Sequence, residues 1–219
     1  MKIGPPKLGP IPVVCFYLGW LYTAWGAWAY FLAHNPDRDS TGIIRASVRL
    51  IVWILPLLLI RRVDPQRPLF SELRLDCRFA RGIGIGLLGF VVLVLLAAVK
   101  SHAALLRVRL PRDLALWLNP IITAPLAEEL AFRGFVFRTL RDRFGVKFAL
   151  PISALAFALI HLPYWLMAGE MSGGAIAIEF GVMLLFGAGF AVLFQWSGSL
   201  WSPLVCHWLN NLLMISLPH

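Results

Sequence analysis

Charged side chains are scarce in this chain: they make up 14% of its 219 residues, while 59% are hydrophobic. A soluble domain carries about 25% charged residues. The shortage, with a mean hydropathy of +0.77, excludes an ordinary water-soluble fold and leaves a polytopic membrane protein. Acids are scarcer than bases, 11 against 20, for a net charge of +9. The bases cluster between apolar runs rather than along one helix face or tail. That pattern fits loops at an anionic membrane surface and argues against nucleic-acid binding. Cysteine is nearly absent, and Cys15, Cys77 and Cys206 lack the spacing of a disulfide framework or a zinc site. Cys15 and Cys206 fall in apolar runs, where they act as small hydrophobes. No small-residue cleavage site follows the apolar stretch after Lys2 and Lys7, so that stretch reads as a first transmembrane helix rather than a removed signal peptide.

What is present is a series of apolar runs, roughly 11–33, 43–60, 82–99, 114–137, 148–168, 174–196 and 199–217. A bilayer core of ~30 Å needs about 20 such residues as helix, which predicts an all-α bundle of about seven transmembrane helices. The second run is short and contains Pro56, so a tilt or break is expected there. Lys/Arg asymmetry orients the chain with its N-terminus inside. On that topology the inner loops hold Arg61, Arg62, Arg67, Arg74, Arg78 and Arg81, then Arg138, Arg141, Arg143 and Lys147. Trp20, Trp25, Trp28, Tyr30, Trp196 and Trp201 are expected in aromatic belts at the interfaces, near which Glu179 and Gln195 also fall. Gly84-Ile-Gly86-Leu-Leu-Gly89 matches a dinucleotide fingerprint in letters only. It lacks the strand–helix setting that motif needs, and small residues such as Gly82 and Gly86 here read as close helix contacts.

Against this background two adjacent acids stand out, Glu128 and Glu129, in Ala124-Pro-Leu-Ala-Glu-Glu-Leu-Ala-Phe-Arg-Gly134. Placing an ionised group at mid-membrane costs at least ~2.5–3.5 kcal/mol, which makes such a residue a functional candidate. Neighbours on a helix are rotated by about 100°, so the two acids point apart. Glu129 and Arg133 have the favourable i,i+4 order for a salt bridge, which leaves Glu128 free for chemistry. A purely structural ion network is the alternative. His161 and His207 lie within later apolar runs, with Phe157 and Asn211 one helical turn away on the same faces. At 1.5 Å per residue, Glu128, His161 and His207 lie at depths of about 15, 20 and 12 Å from the inner ends of their runs, so one cluster is feasible.

A carboxylate in low dielectric is a competent base near neutral pH, so a glutamate beside a histidine suits activation of water. N–H donors from His207 and Asn211 aimed at one point would make an oxyanion hole. Zinc held by Glu128, His161 and His207 is a competing reading, although H-E-x-x-H is absent. Ser197 and Ser199 read as a turn rather than a nucleophile, and Cys206 points about 100° away from His207. A transporter would show repeated broken helices, and the acid-pair segment has no second copy.

Taken together, Glu128-Glu129…Arg133, Phe157…His161 and His207…Asn211 resemble the E-E-x-x-x-R, F-x-x-x-H and H-x-x-x-N motifs of the CPBP intramembrane proteases. That family includes the eukaryotic CAAX prenyl endopeptidases and many prokaryotic relatives. The resemblance spans roughly residues 117–214. It implies a glutamic-type endopeptidase in which Glu128 and His161 activate water, His207 and Asn211 bind the oxyanion, and Glu129 and Arg133 form a clamp. It implies no cofactor, with zinc as the disfavoured option. Residues 1–113 would be N-terminal transmembrane helices and loops, and 114–219 a catalytic core of four transmembrane helices. The expected partners are a peptide or membrane-protein substrate and the lipid bilayer, in a prokaryotic plasma membrane. A non-catalytic member acting in bacteriocin immunity or as a scaffold is the alternative.

Overall fold

The computed structural model describes residues 10–35, 42–62, 74–75, 78–105, 108–169 and 171–217. Cys77 and the basic residues Lys2, Lys7 and Arg67 lie outside them. Among the described residues the chain forms helices and no strand. We number these α1 (Pro10–His34), α2 (Ile43–Arg49, Leu50–Ile54, Leu55–Arg62) and α3 (Phe79–Leu105). The rod α4 follows in five segments (Leu114–Leu116, Trp117–Thr123, Ala124–Glu129, Leu130–Phe137, Arg138–Phe144). Then come α5 (Val146–Leu159, Leu162–Ala168), α6 (Gly173–Ser197) and α7 (Trp201–Ser216). Among the described residues four stretches are long and apolar enough to cross a bilayer: Ile43–Ile60, Phe79–Ala98, Val146–Met167 and Gly173–Ser197. The protein is an all-α membrane bundle.

Burial is arranged for lipid. Leu96 and Leu185 on the outer surface are 62% and 75% exposed, while Glu129 and Arg133 are fully enclosed. The core is aromatic. Edge-to-face contacts run from Trp25 to Trp53 (5.3 Å), Phe132 (5.9 Å) and Phe157 (5.4 Å), an arrangement favoured by the ring quadrupoles.

Three segments among the described residues widen into π-helix: Leu50–Ile54, Trp117–Thr123 and Leu130–Phe137. In a bilayer core no water is at hand for a backbone carbonyl, so the protein itself must supply donors. Pro56 has no N–H for the Val52 carbonyl four residues back; the Trp20 indole donates to it at 3.0 Å, and Tyr17 donates to the Trp53 carbonyl at 2.9 Å. The expected disturbance in the second span is thus a widened turn braced by α1. Around Pro120, the carbonyls of Leu118, Pro120 and Ile122 take donors from Thr123 (2.6 Å), Asn211 (2.8 Å) and Trp208 (3.0 Å). The Phe132 carbonyl takes Ser153 at 3.2 Å. These bonds fix α4 against α5 and α7.

Helices α3 and α7 touch through a glycine stripe. A Cβ on Gly86 would lie 2.6 Å from the Ser202 carbonyl oxygen, and one on Gly82 would lie 2.7 Å from the Ser199 hydroxyl. At the start of α2, Gly42 adopts φ +65°, and a Cβ there would meet the Ala115 carbonyl oxygen at 2.8 Å. This contact holds the N-terminal end of α2 against α4. Ser197 and Ser199 form a buried turn, with the Ser197 and Ser202 hydroxyls 2.6 Å apart. Cys206 lines an apolar groove of about 520 Å³ beside α3 and α6.

The stripe predicts opposite outcomes for two neighbouring glycines. Gly84 meets nothing within 4 Å, so Gly84→Ala should raise stability by up to about 1 kcal/mol through helix propensity. Gly86→Ala must push α3 off a backbone carbonyl and should cost roughly 1–3 kcal/mol. Thermal unfolding of both variants in one detergent checks the contrast; equal shifts would refute this packing.

Candidate active site

The acid pair ends the Ala124–Glu129 segment, and the widened turn Leu130–Phe137 begins immediately after it. Glu129 is fully buried, and its Oε1 accepts from Arg133 at 3.1 Å and from His207 Nδ1 at 2.8 Å. The expected i,i+4 pair is present. Arg133 also donates to the Gly187 carbonyl on α6 at 3.1 Å. Its guanidinium lies 4.3 Å from the Phe157 ring centroid and 5.2 Å from that of Phe190. One buried cation therefore touches α4, α5 and α6.

Glu128 is not free, as elimination on one helix had suggested. Its Oε1 receives Arg49 of α2 at 2.6 Å, with side-chain exposures of 8% and 12%. Its other oxygen, Oε2, faces His207 Nε2 at 3.9 Å. The two acids leave the helix in different directions, as neighbours must, yet they reach opposite nitrogens of a single imidazole. That ring stacks on Phe190 at 4.7 Å and 21°.

His161 sits at the break between the two segments of α5. Its Nδ1 lies 2.9 Å from the Phe157 carbonyl. A carbonyl only accepts, so Nδ1 carries the hydrogen and Nε2 of the neutral ring presents a lone pair. The Phe157 ring stands 5.1 Å from that of His161 and 6.3 Å from that of His207. Asn211 donates one amide hydrogen to the Pro120 carbonyl at 2.8 Å, and His207 Nδ1 is engaged by Glu129 Oε1.

Arg49 is the site residue that sequence reasoning missed. The signal was present: an arginine inside the apolar run 43–60 meets the same criterion that singled out Glu128. Trp25 packs against this guanidinium at 4.6 Å. Among the described residues no group of three His, Cys, Asp or Glu side chains is arranged to hold a metal ion.

Breaking a buried pair from one side leaves an uncompensated charge, at roughly 3–5 kcal/mol. Glu129→Gln should therefore destabilise strongly, because Arg133 keeps only a carbonyl and two ring faces. Glu129→Gln combined with Arg133→Met should recover much of that loss. Thermal unfolding of the single and double variants in detergent tests this. A single variant as stable as wild type would contradict it.

No curated protein and no solved structure matches the chain. A family model does: residues 110–213 match type II CAAX prenyl endopeptidase Rce1-like. The matched segment contains Glu128, Glu129, Arg133, His161, His207 and Asn211 and excludes Arg49. With these residues gathered inside an all-α membrane bundle, the segment 110–213 is similar to the Rce1-like, CAAX-protease-type family.

Proposed function

We propose that this protein is a glutamic-type intramembrane endopeptidase acting through water, without a metal. The observation that carries the reading is the 3.9 Å separation of Glu128 Oε2 from His207 Nε2. It is too long for a direct hydrogen bond and suited to one bridging water.

In this mechanism Glu128 Oε2 and His161 Nε2 accept the two hydrogens of the attacking water, which directs the oxygen lone pair at the scissile carbonyl. Glu128 takes the proton as the C–O bond forms and returns it to the departing amine as the C–N bond breaks. The oxyanion is met by the second amide hydrogen of Asn211 and by His207 Nε2–H. Because Nδ1 already donates to Glu129, donation from Nε2 requires the doubly protonated ring. Residues 114–219 form the reacting core, and α1 and α2 brace it. The similarity to type II CAAX prenyl endopeptidases supports a peptide with a C-terminal CAAX sequence as substrate.

The test uses two internally quenched CAAX peptides, one farnesylated and one not, with purified protein in detergent. A positioned general base is worth roughly 10²–10⁴-fold, so Glu128→Gln should lower kcat by that factor while the protein stays folded. Wild-type turnover should survive exhaustive chelation. Stoichiometric bound zinc, with activity lost on its removal and restored by adding it back, would replace this chemistry with the zinc reading. Full turnover by Glu128→Gln would remove the glutamate mechanism. No cleavage of either peptide would favour a non-catalytic binding member.

Asn211→Ala separates its two contacts. As an oxyanion donor it should lower kcat by ~10²–10³-fold with little change in KM. As a brace for the Pro120 carbonyl alone, it would lower the melting temperature and leave kcat of the folded fraction unchanged. Both are measured on one preparation.

A further inference from the structure

The strongest unassigned feature is the cation on Glu128. Arg49 lies on α2, at the junction of the Ile43–Arg49 and Leu50–Ile54 segments. It approaches from outside the family-matched residues 110–213. Its guanidinium carbon stands 4.6 Å from the Trp25 ring centroid on α1 and 5.4 Å from that of Trp53 on α2. The two indoles meet edge to face at 5.3 Å, and Trp53 is held in turn by Phe132 and by Tyr17 on its carbonyl. The cage is thus tied to the same aromatic row that ends at His161 and His207.

We infer that Arg49 is a positioning residue of this active site, holding Glu128 Oε1 so that Oε2 is presented toward His207 Nε2. The inference rests on the reading of Glu128 as the base. A carboxylate at the end of a three-bond side chain has several rotamers. A single 2.6 Å bond to one oxygen, from a guanidinium stacked on rings, selects one of them. The ion pair by itself is a poor stabilising device, since desolvation of two charges offsets their attraction. Its value lies in aiming the second oxygen. The N-terminal helices therefore complete the site: Gly42 lets α2 approach Ala115 of α4, the widened turn follows Arg49 directly, and the indole cage fixes its head. Arginine suits this place better than lysine because its planar group stacks while still donating.

The experiment compares Arg49→Ala, Arg49→Lys, Trp25→Leu and Glu128→Gln with wild type. All are assayed on the farnesylated and unprenylated quenched CAAX peptides, with thermal unfolding of each preparation. Misplacing a reacting group by about 1 Å can cost ~10²-fold. Arg49→Ala should thus lose kcat on that order with KM nearly unchanged, Arg49→Lys should fall between the two, and Trp25→Leu should lose part of the rate with Arg49 intact. Millimolar methylguanidinium should restore part of the kcat of Arg49→Ala. Wild-type kcat in folded Arg49→Ala, beside an inactive Glu128→Gln, would overturn the positioning role and leave the glutamate mechanism standing. Rate losses that only follow the unfolded fraction in Arg49→Lys and Trp25→Leu would also overturn it, in favour of a structural ion pair. Turnover by Glu128→Gln, or no cleavage of either peptide by wild type, would fell the underlying reading and this one with it.

Discussion

One buried oxygen organises this molecule. Glu129 Oε1 accepts from Arg133 and from His207 at once, in a position closed to solvent and lipid alike. An ionised carboxylate enclosed there is tolerable only if fixed donors replace its hydration. Those donors come from α4 and α7, and Arg133 extends the tie to the Gly187 carbonyl on α6. Without Glu129 the cation would be stranded and His207 would lose the partner that sets its ring. The tautomer of His207, and so the face it turns to Glu128, depends on this contact.

A second constraint, the absence of water for backbone groups within a bilayer, explains the side-chain bonds around it. Prolines at 56 and 120 and the widened turns near them would be costly in lipid. Each is met by hydroxyl, indole or amide donors, from a neighbouring helix in every case but the Thr123 hydroxyl, which serves its own helix. The bonds that stabilise irregular turns are also the ones that lock helix to helix. Asn211 stands on both accounts, since its amide braces the Pro120 carbonyl and keeps one hydrogen for another acceptor.

The acid pair divides the work less cleanly than helical rotation alone suggests. Rotation sends Glu128 toward α2 and Glu129 toward α7, yet His207 spans the gap between them. Glu128 has an arginine of its own, so the site is a charge-compensated row rather than a lone base beside a clamp. Such compensation lets two carboxylates share a low-dielectric interior.

The sequence by itself determined the class, the approximate spans and the local pairs. Hydropathy acts over about 20 contiguous residues, and the Glu129–Arg133, Phe157–His161 and His207–Asn211 spacings are properties of single helices. The glycine contacts at Gly82 and Gly86 were legible for the same reason. Tertiary structure decided everything that depends on which helices meet. The Arg49–Glu128 bond joins residues 79 apart, and no local period links them. The place of Trp25 as a wall of the Arg49 cage follows from how α1 docks on α2. So does the placement of both carboxylates on one imidazole, which needs α7 at a fixed height against α4. That height is set by the Pro120 and Glu129 contacts and by the glycine seam with α3, and side-chain packing between helices has no signature in a linear pattern.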